Sequence, residues 1–190
     1  QATATWLPVG KLTVDGKNYT VDEEHYHFSA SGWSVTFNDE YGEFTLFLEE
    51  YQGGSISIPC SADVYVQDGE NRIDGTLSCD GTLSLKENCR YGTHSSLTIT
   101  AAEADKPAIL TNKLTLERVP HMTLTAGANS KAIASLSGEE EFNIDTDTTH
   151  YYGRTSREAS ENSVGEGEIG DMWQLHTEPV MCTTTVDGNG

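Results

Sequence analysis

Positive charge is scarce in this chain. Only 11 Lys and Arg stand against 30 Asp and Glu among 190 residues, a formal net charge of −19. That field repels phosphate backbones and anionic bilayers, so nucleic acid is not expected as a partner. Long apolar runs are missing as well: nothing approaches the ~18 apolar residues of a membrane-spanning helix, which argues against membrane insertion. Leu, Ile, Val and Phe together number only 37, and so low an aliphatic share with so much charge borders on the composition of disordered chains. No segment carries a 3.6-residue apolar period. Residues 101–105 are the best short helix candidate. Walker, H-E-x-x-H and G-x-S-x-G motifs are all absent. The run Gly165-Glu166-Gly167-Glu168-Ile169-Gly170 spells G-x-G-x-x-G. It follows no expected strand, opens no helical pattern and puts two carboxylates where a pyrophosphate would lie, so a dinucleotide site is not expected there.

Three Trp, eight Tyr and four Cys supply what the aliphatics do not, namely bulky burial and cross-links. Short strand patterns rich in Thr recur over residues 11–14, 18–21, 32–37, 43–48, 55–58, 63–66, 75–79, 82–85, 97–100, 113–118 and 122–125. Asp15-Gly16 and Asp80-Gly81 each lie between two such patterns and predict two-residue hairpins. The expected fold class is therefore all-β, an antiparallel sandwich-like domain with long irregular loops. Composition shifts near Gly138. Residues 138–190 carry 12 acidic and 2 basic side chains, too charged and too poor in aliphatics to fold alone. This predicts a β core over residues 1–137 and, over 138–190, an acidic irregular C-terminal wrap packed on it.

The cysteines are Cys60, Cys79, Cys89 and Cys182, an even number without C-x-x-C spacing. They suit two disulfides in an oxidising compartment better than a zinc site. Of the three pairings, Cys79 with Cys89 closes a short loop after Asp80-Gly81. Cys60 with Cys182 would tie the acidic tail to the core, worth about 2–4 kcal/mol. The chain opens at Gln1 with no basic-then-apolar leader, as a mature secreted chain does. A secreted or cell-surface location is expected.

Six His are present, and His25-Tyr26-His27 forms an H-x-H pair. On an extended strand the two imidazoles would project from one face, their roots roughly 6.6 Å apart, and could grip one ion. Trp33 lies six residues on. A third ligand could come from His94, His121, His150 or His176. Imidazoles without a thiolate suit copper or zinc, with copper favoured by an oxidising compartment and nearby aromatics. The alternative is a surface strand with two solvated His.

In its acidity, size, expected compartment and the inventory around His25, His27 and Trp33, the chain resembles the copper-repressible surface proteins of methane-oxidising bacteria. That resemblance implies a copper ion held by two His and an oxidised Trp (kynurenine), with surface association at the outer envelope. Calcium is the second candidate ion, held by hard oxygens in the loop of Asp145 and Asp147 or at Asp187. Each of these also reads as a solvated acidic loop.

The expected function is a non-enzymatic metal-binding protein that captures or stores copper. The rival is a carbohydrate-binding or adhesive surface module with structural calcium. In that reading Trp6, Trp33, Tyr41, Tyr51, Tyr91, Tyr151, Tyr152 and Trp173 would supply stacking faces for a glycan; otherwise they serve as core in a chain short of aliphatics.

Overall fold

A computed structural model describes residues 10–22, 25–88, 95–139 and 141–179. The described residues are almost entirely strands and turns, so the all-β class stands.

Two hairpins begin the fold. Strands β1 (Lys11–Val14) and β2 (Lys17–Thr20) pair antiparallel across Asp15-Gly16. Both turn residues have positive φ, 50° and 74°, the primed turn that such a dipeptide favours. Strands β3 (His27–Ala30) and β4 (Trp33–Asn38) form the second hairpin, and β4 pairs antiparallel with β5 (Glu43–Leu48).

From β5 onward the chain winds as a parallel solenoid. It passes through β6 (Gln52–Gly53), β7 (Ile56–Ile58), β8 (Ala62–Val66), β9 (Gly69–Asp74) and β10 (Leu77–Glu87). It continues through β11 (Ser95–Thr100), β12 (Ile109–Glu117), β13 (His121–Thr125), β14 (Ile133–Ser135) and β15 (Glu141–Ile144). Three faces result. On the first, β5, β8, the C-terminal half of β10, that of β12, and β15 follow one another in parallel register. On the second the order is β6, β9, β11, β13. On the third it is β7, the N-terminal half of β10, that of β12, and β14.

This corrects the expected antiparallel sandwich: the sheets are mixed, antiparallel where β1 meets β2 and β7, from β3 through β5 and among the C-terminal strands, and parallel elsewhere. The expected hairpin at Asp80-Gly81 does not form either. Those two residues bulge at a corner inside β10, where the register with β12 shifts between Cys79 and Thr82. The next turn satisfies the bulge: Thr111 Oγ1 donates to the Gly81 carbonyl at 2.9 Å, and Asn112 Nδ2 to that of Asp80 at 2.9 Å.

Alternation explains the core. Inward residues stack turn upon turn: Phe44, Ala62, Leu83 and Leu114 in one column, and Leu46, Val64, Leu85, Leu116 and Ile144 in the next. Ile73, Ile99, Leu124 and Leu175 line the second face, and Val14, Ile56, Leu77, Ile109 and Ile133 the third. All are buried. Each buried Leu or Ile contributes about 1.5–3 kcal/mol, so a few aliphatics placed in columns suffice for a chain with so few of them.

Residues 141–179, the described part of the acidic segment, are largely strands where an irregular wrap was expected. After β15, strand β16 (Thr149–Arg154) pairs with β17 (Asn162–Ser163) and with β18 (Gln174–Pro179), and β18 pairs antiparallel with β13. Thr149, Tyr151 and Thr177 point inward and are buried. Alternation persists here, but polar and aromatic residues carry it, which hid it from an aliphatic pattern. Residues 166–171 form a 3-10 turn, in which Glu168 Oε2 accepts from the Gly165 amide at 3.0 Å. The carboxylate thus fills the place a phosphate would need. Residues 101–105, the helix candidate, form a turn-rich loop.

Candidate functional site

The H-x-H pair does not lie within one strand. His27 opens β3, whereas His25 stands before it, its main chain bonded reciprocally to that of Asp22. The Asp22 carboxylate adds to that pairing. Its Oδ1 accepts from both the backbone amide and Nδ1 of His25, each at 2.8 Å. His27 Nδ1 is 2.9 Å from the Thr36 hydroxyl. Both rings are exposed, and each has Nδ1 engaged.

Trp33 cannot join them. In the β3–β4 hairpin His27 is opposite Thr36 and Ala30 opposite Trp33, so strand alternation puts Trp33 on the other face from His27. Its ring is buried and packs edge-on to Tyr19 at 5.2 Å. This corrects Trp33 as a ligand: it is core. His94 lies outside the described residues. Among the described residues no group of three or more His, Cys, Asp or Glu comes together in a metal-binding arrangement.

The calcium candidates fare similarly. Asp145 is committed to its own loop: Oδ1 accepts from the amides of Asp147 and Thr148, and Oδ2 from the Thr148 hydroxyl. The Thr148 hydroxyl bond, with help from the two amides, holds the Asp145 carboxyl below its ordinary value. Asp147 is exposed. Asp187 lies outside the described residues.

Cys60 and Cys79 are free thiols at the same corner, between β7 and β8 and within β10. Cys79 Sγ donates to the Cys60 carbonyl at 2.9 Å. Burial raises both thiols, Cys60 to about 11, and the neighbouring sulfur pushes Cys60 further in that direction. Their expected partners, Cys182 and Cys89, lie outside the described residues.

The aromatics divide. Trp33, Tyr51 and Tyr151 are buried; Tyr41 is 69% exposed in the turn between β4 and β5. Trp6 and Tyr91 lie outside the described residues. Burial and the Asp15 carboxylate hold the Tyr51 phenol at about 12, and burial raises Tyr151 as well.

Trp173 is different. Half-buried just before β18, it lines an open cleft of about 550 Å³ at the C-terminal ends of β11 and β13. The cleft lies between the loop after β11 (residues 101–104), the loop after β13 (126–130) and the loop after β16 (155–158). Main-chain bonds tie the first two loops together: the Gly127 amide donates to the Lys106 carbonyl at 2.9 Å, and that of Asn129 to Ala104 at 2.7 Å. Gly127 is required there, since a Cβ would meet the Glu103 carbonyl oxygen at 2.0 Å. The indole is fixed as well. Nε1 donates to the Gly127 carbonyl at 3.1 Å, and the Arg154 guanidinium lies 5.4 Å above the ring. Thr100, Thr125, Ser130 and Ser156 contribute short polar side chains to the walls, and Glu103, Glu158 and Arg157 longer charged ones.

Trp173 was among the aromatics singled out from sequence, but Arg154 and Arg157 were not. Their signal was available: they are the 2 basic residues in the acidic stretch 138–190.

The architecture is a parallel β-solenoid with a rigid-walled cleft built from loops at one corner. Comparison with protein-family models, with curated proteins and with solved structures gives no match. Among the described residues no helix is long and apolar enough to cross a membrane.

Proposed function

We propose that this chain is a non-enzymatic surface module that binds glycan in the cleft beside Trp173. The observation that carries this reading is a fixed indole at the wall of a cavity of about 550 Å³ that is lined by several hydroxyl side chains. Sugars offer the complementary chemistry, with C–H faces that pack on aromatic rings and hydroxyls that exchange hydrogen bonds with short polar groups. The walls are preorganised, so little ordering cost is left for binding. The test is affinity electrophoresis of the intact chain against a panel of polysaccharides, with Trp173→Ala beside it. Retardation by at least one glycan, lost in the variant while its melting curve stays cooperative, is the expected result. No retardation by any glycan overturns the reading.

A second reading is favoured by one observation at the H-x-H pair. With Nδ1 of His25 bonded to Asp22 and Nδ1 of His27 to Thr36, Nε2 of each ring is left as the coordinating nitrogen, the pattern in which outer partners orient imidazoles toward copper or zinc. It ranks second because no third donor joins them among the described residues. Equilibrium dialysis with copper or zinc tests it. Stoichiometric binding abolished by His25→Ala with His27→Ala supports it; less than about a tenth of an equivalent bound at tens of micromolar metal, well above the dissociation constant expected of such a site, removes it.

A further inference from the structure

We infer that the glycan taken by the Trp173 cleft is an acidic one, a uronate-bearing oligosaccharide whose carboxylate is read by Arg154 and Arg157. This rests on the glycan reading and adds the substrate class. The stretch 138–190 carries 12 acidic side chains and 2 basic ones. Both lie at the end of β16, three residues apart, with Arg154 Nη1 donating to the main-chain carbonyl of Arg157 at 3.4 Å.

Arg154 is aimed by a relay across the sheet. Gln174 Nε2 donates to Thr125 Oγ1 at 2.9 Å, and the Gln174 amide oxygen then accepts from Arg154 Nε at 2.7 Å. With Nε spent and one face of the guanidinium against the indole, the group is oriented before any ligand arrives. Neither Arg154 nor Arg157 forms an ion pair with a carboxylate among the described residues, although Arg72, Lys86, Lys113 and Lys131 each do. A planar guanidinium matches a carboxylate through two parallel N–H donors.

The cleft also holds Glu103 and Glu158. Arg154 stands across the Trp173 ring, outside the lining, so Arg157 is the cation of the wall and Glu103 and Glu158 are its two carboxylates. Their oxygens accept from sugar hydroxyls on the rest of the ligand. They also oppose a densely charged polyanion, which limits the fit to sugars carrying separated carboxylates.

The experiment is calorimetric titration of the intact chain with oligogalacturonate and with a neutral galactan oligomer of equal length, each at low and moderate salt. Arg157→Gln is the variant of choice because Arg157 is exposed and its loss leaves the fold in place. The acidic oligomer is expected to bind more tightly than the neutral one. Its affinity should fall with salt and fall about tenfold in Arg157→Gln, the scale of a charge-assisted hydrogen bond. Equal binding of both oligomers, or an unchanged affinity in the variant, overturns the uronate assignment and leaves the glycan reading standing. Binding of neither oligomer overturns the uronate assignment, and the wider panel against Trp173→Ala then decides the glycan reading by itself.

Discussion

Ser61 and Gly81 meet at a corner of the solenoid, where Ser61 Oγ accepts from the backbone amide that follows Gly81, that of Thr82, at 3.0 Å. A Cβ on Gly81 would stand 2.4 Å from that oxygen and 2.6 Å from the Ser61 nitrogen. Ser55 and Gly75 repeat the arrangement one corner earlier: Ser55 Oγ accepts from the Thr76 amide at 3.0 Å, and a Gly75 Cβ would lie 2.1 Å from it. The spacing between turns therefore depends on a missing side chain at these points. Gly81→Ala should destabilise the chain by about 1–3 kcal/mol, the range for overpacking. Gly167→Ala, where nothing lies within 4 Å, should stay within ~0.5 kcal/mol. Urea unfolding midpoints of the two variants provide the comparison.

The inward columns make a second expectation. Leu85 lies between Val64 and Leu116 in register and is fully buried. Leu85→Ala should cost about 2–5 kcal/mol. Its neighbour Ser84 points outward, and Ser84→Ala should change stability by less than ~0.5 kcal/mol. Equal costs at the two positions would contradict the alternation assigned to β10.

The thiols at the corner lie above their ordinary range because they are buried. A thiol reacts as thiolate, so Cys60 and Cys79 should be slow toward a disulfide reagent near pH 8 in the folded chain. In a variant with Cys89→Ser and Cys182→Ser, two equivalents should react rapidly only after denaturant is added. Fast native labelling would show that the corner is open.

Asp145 gives a pH signature. Its folded carboxyl is held below the ordinary value, first by the Thr148 hydroxyl. A depressed carboxyl contributes stability that is present above the unfolded value of about 4 and lost as pH falls through the lower folded value. Asp145→Asn should therefore narrow its stability difference from the parent as pH drops from about 5 toward 3. Denaturant midpoints across that interval measure it, and a constant difference would mean that the carboxylate charge plays no part.

Much of the strand content was legible. Residues 11–14, 43–48 and 97–100 alternate plainly between apolar and Thr, Ser or charged positions, and each lies within a strand. Parallel pairing was not legible. Sequence rules expect a helix in a parallel crossover, whereas here two further short strands carry the chain round, so the spacing imitates an antiparallel meander. The in-register column of Phe44, Ala62, Leu83 and Leu114 is also unevenly spaced along the chain, so no fixed period announces the turns. His25-Tyr26-His27 misled for a local reason: the Asp22 carboxylate holds both the amide and the ring of His25, and strand periodicity alone does not see that. Trp173 could be named as an aromatic, but its cleft could not, because the walls come from loops after β11, β13 and β16 that meet only once the turns stack.

That stacking separates two kinds of change. Main-chain ladders and inward columns set the body of the protein, and the loops of the cleft are joined to it and to each other by main-chain bonds while their side chains stay out of the core. Residues 101–104 carry no buried side chain, so their side chains can be exchanged without altering the partner of any core residue, provided the main-chain bonds to the neighbouring loop are kept. A surface made this way can acquire new recognition as a blade receives a new handle, by exchange at the joint, while its rigid part stays as it was.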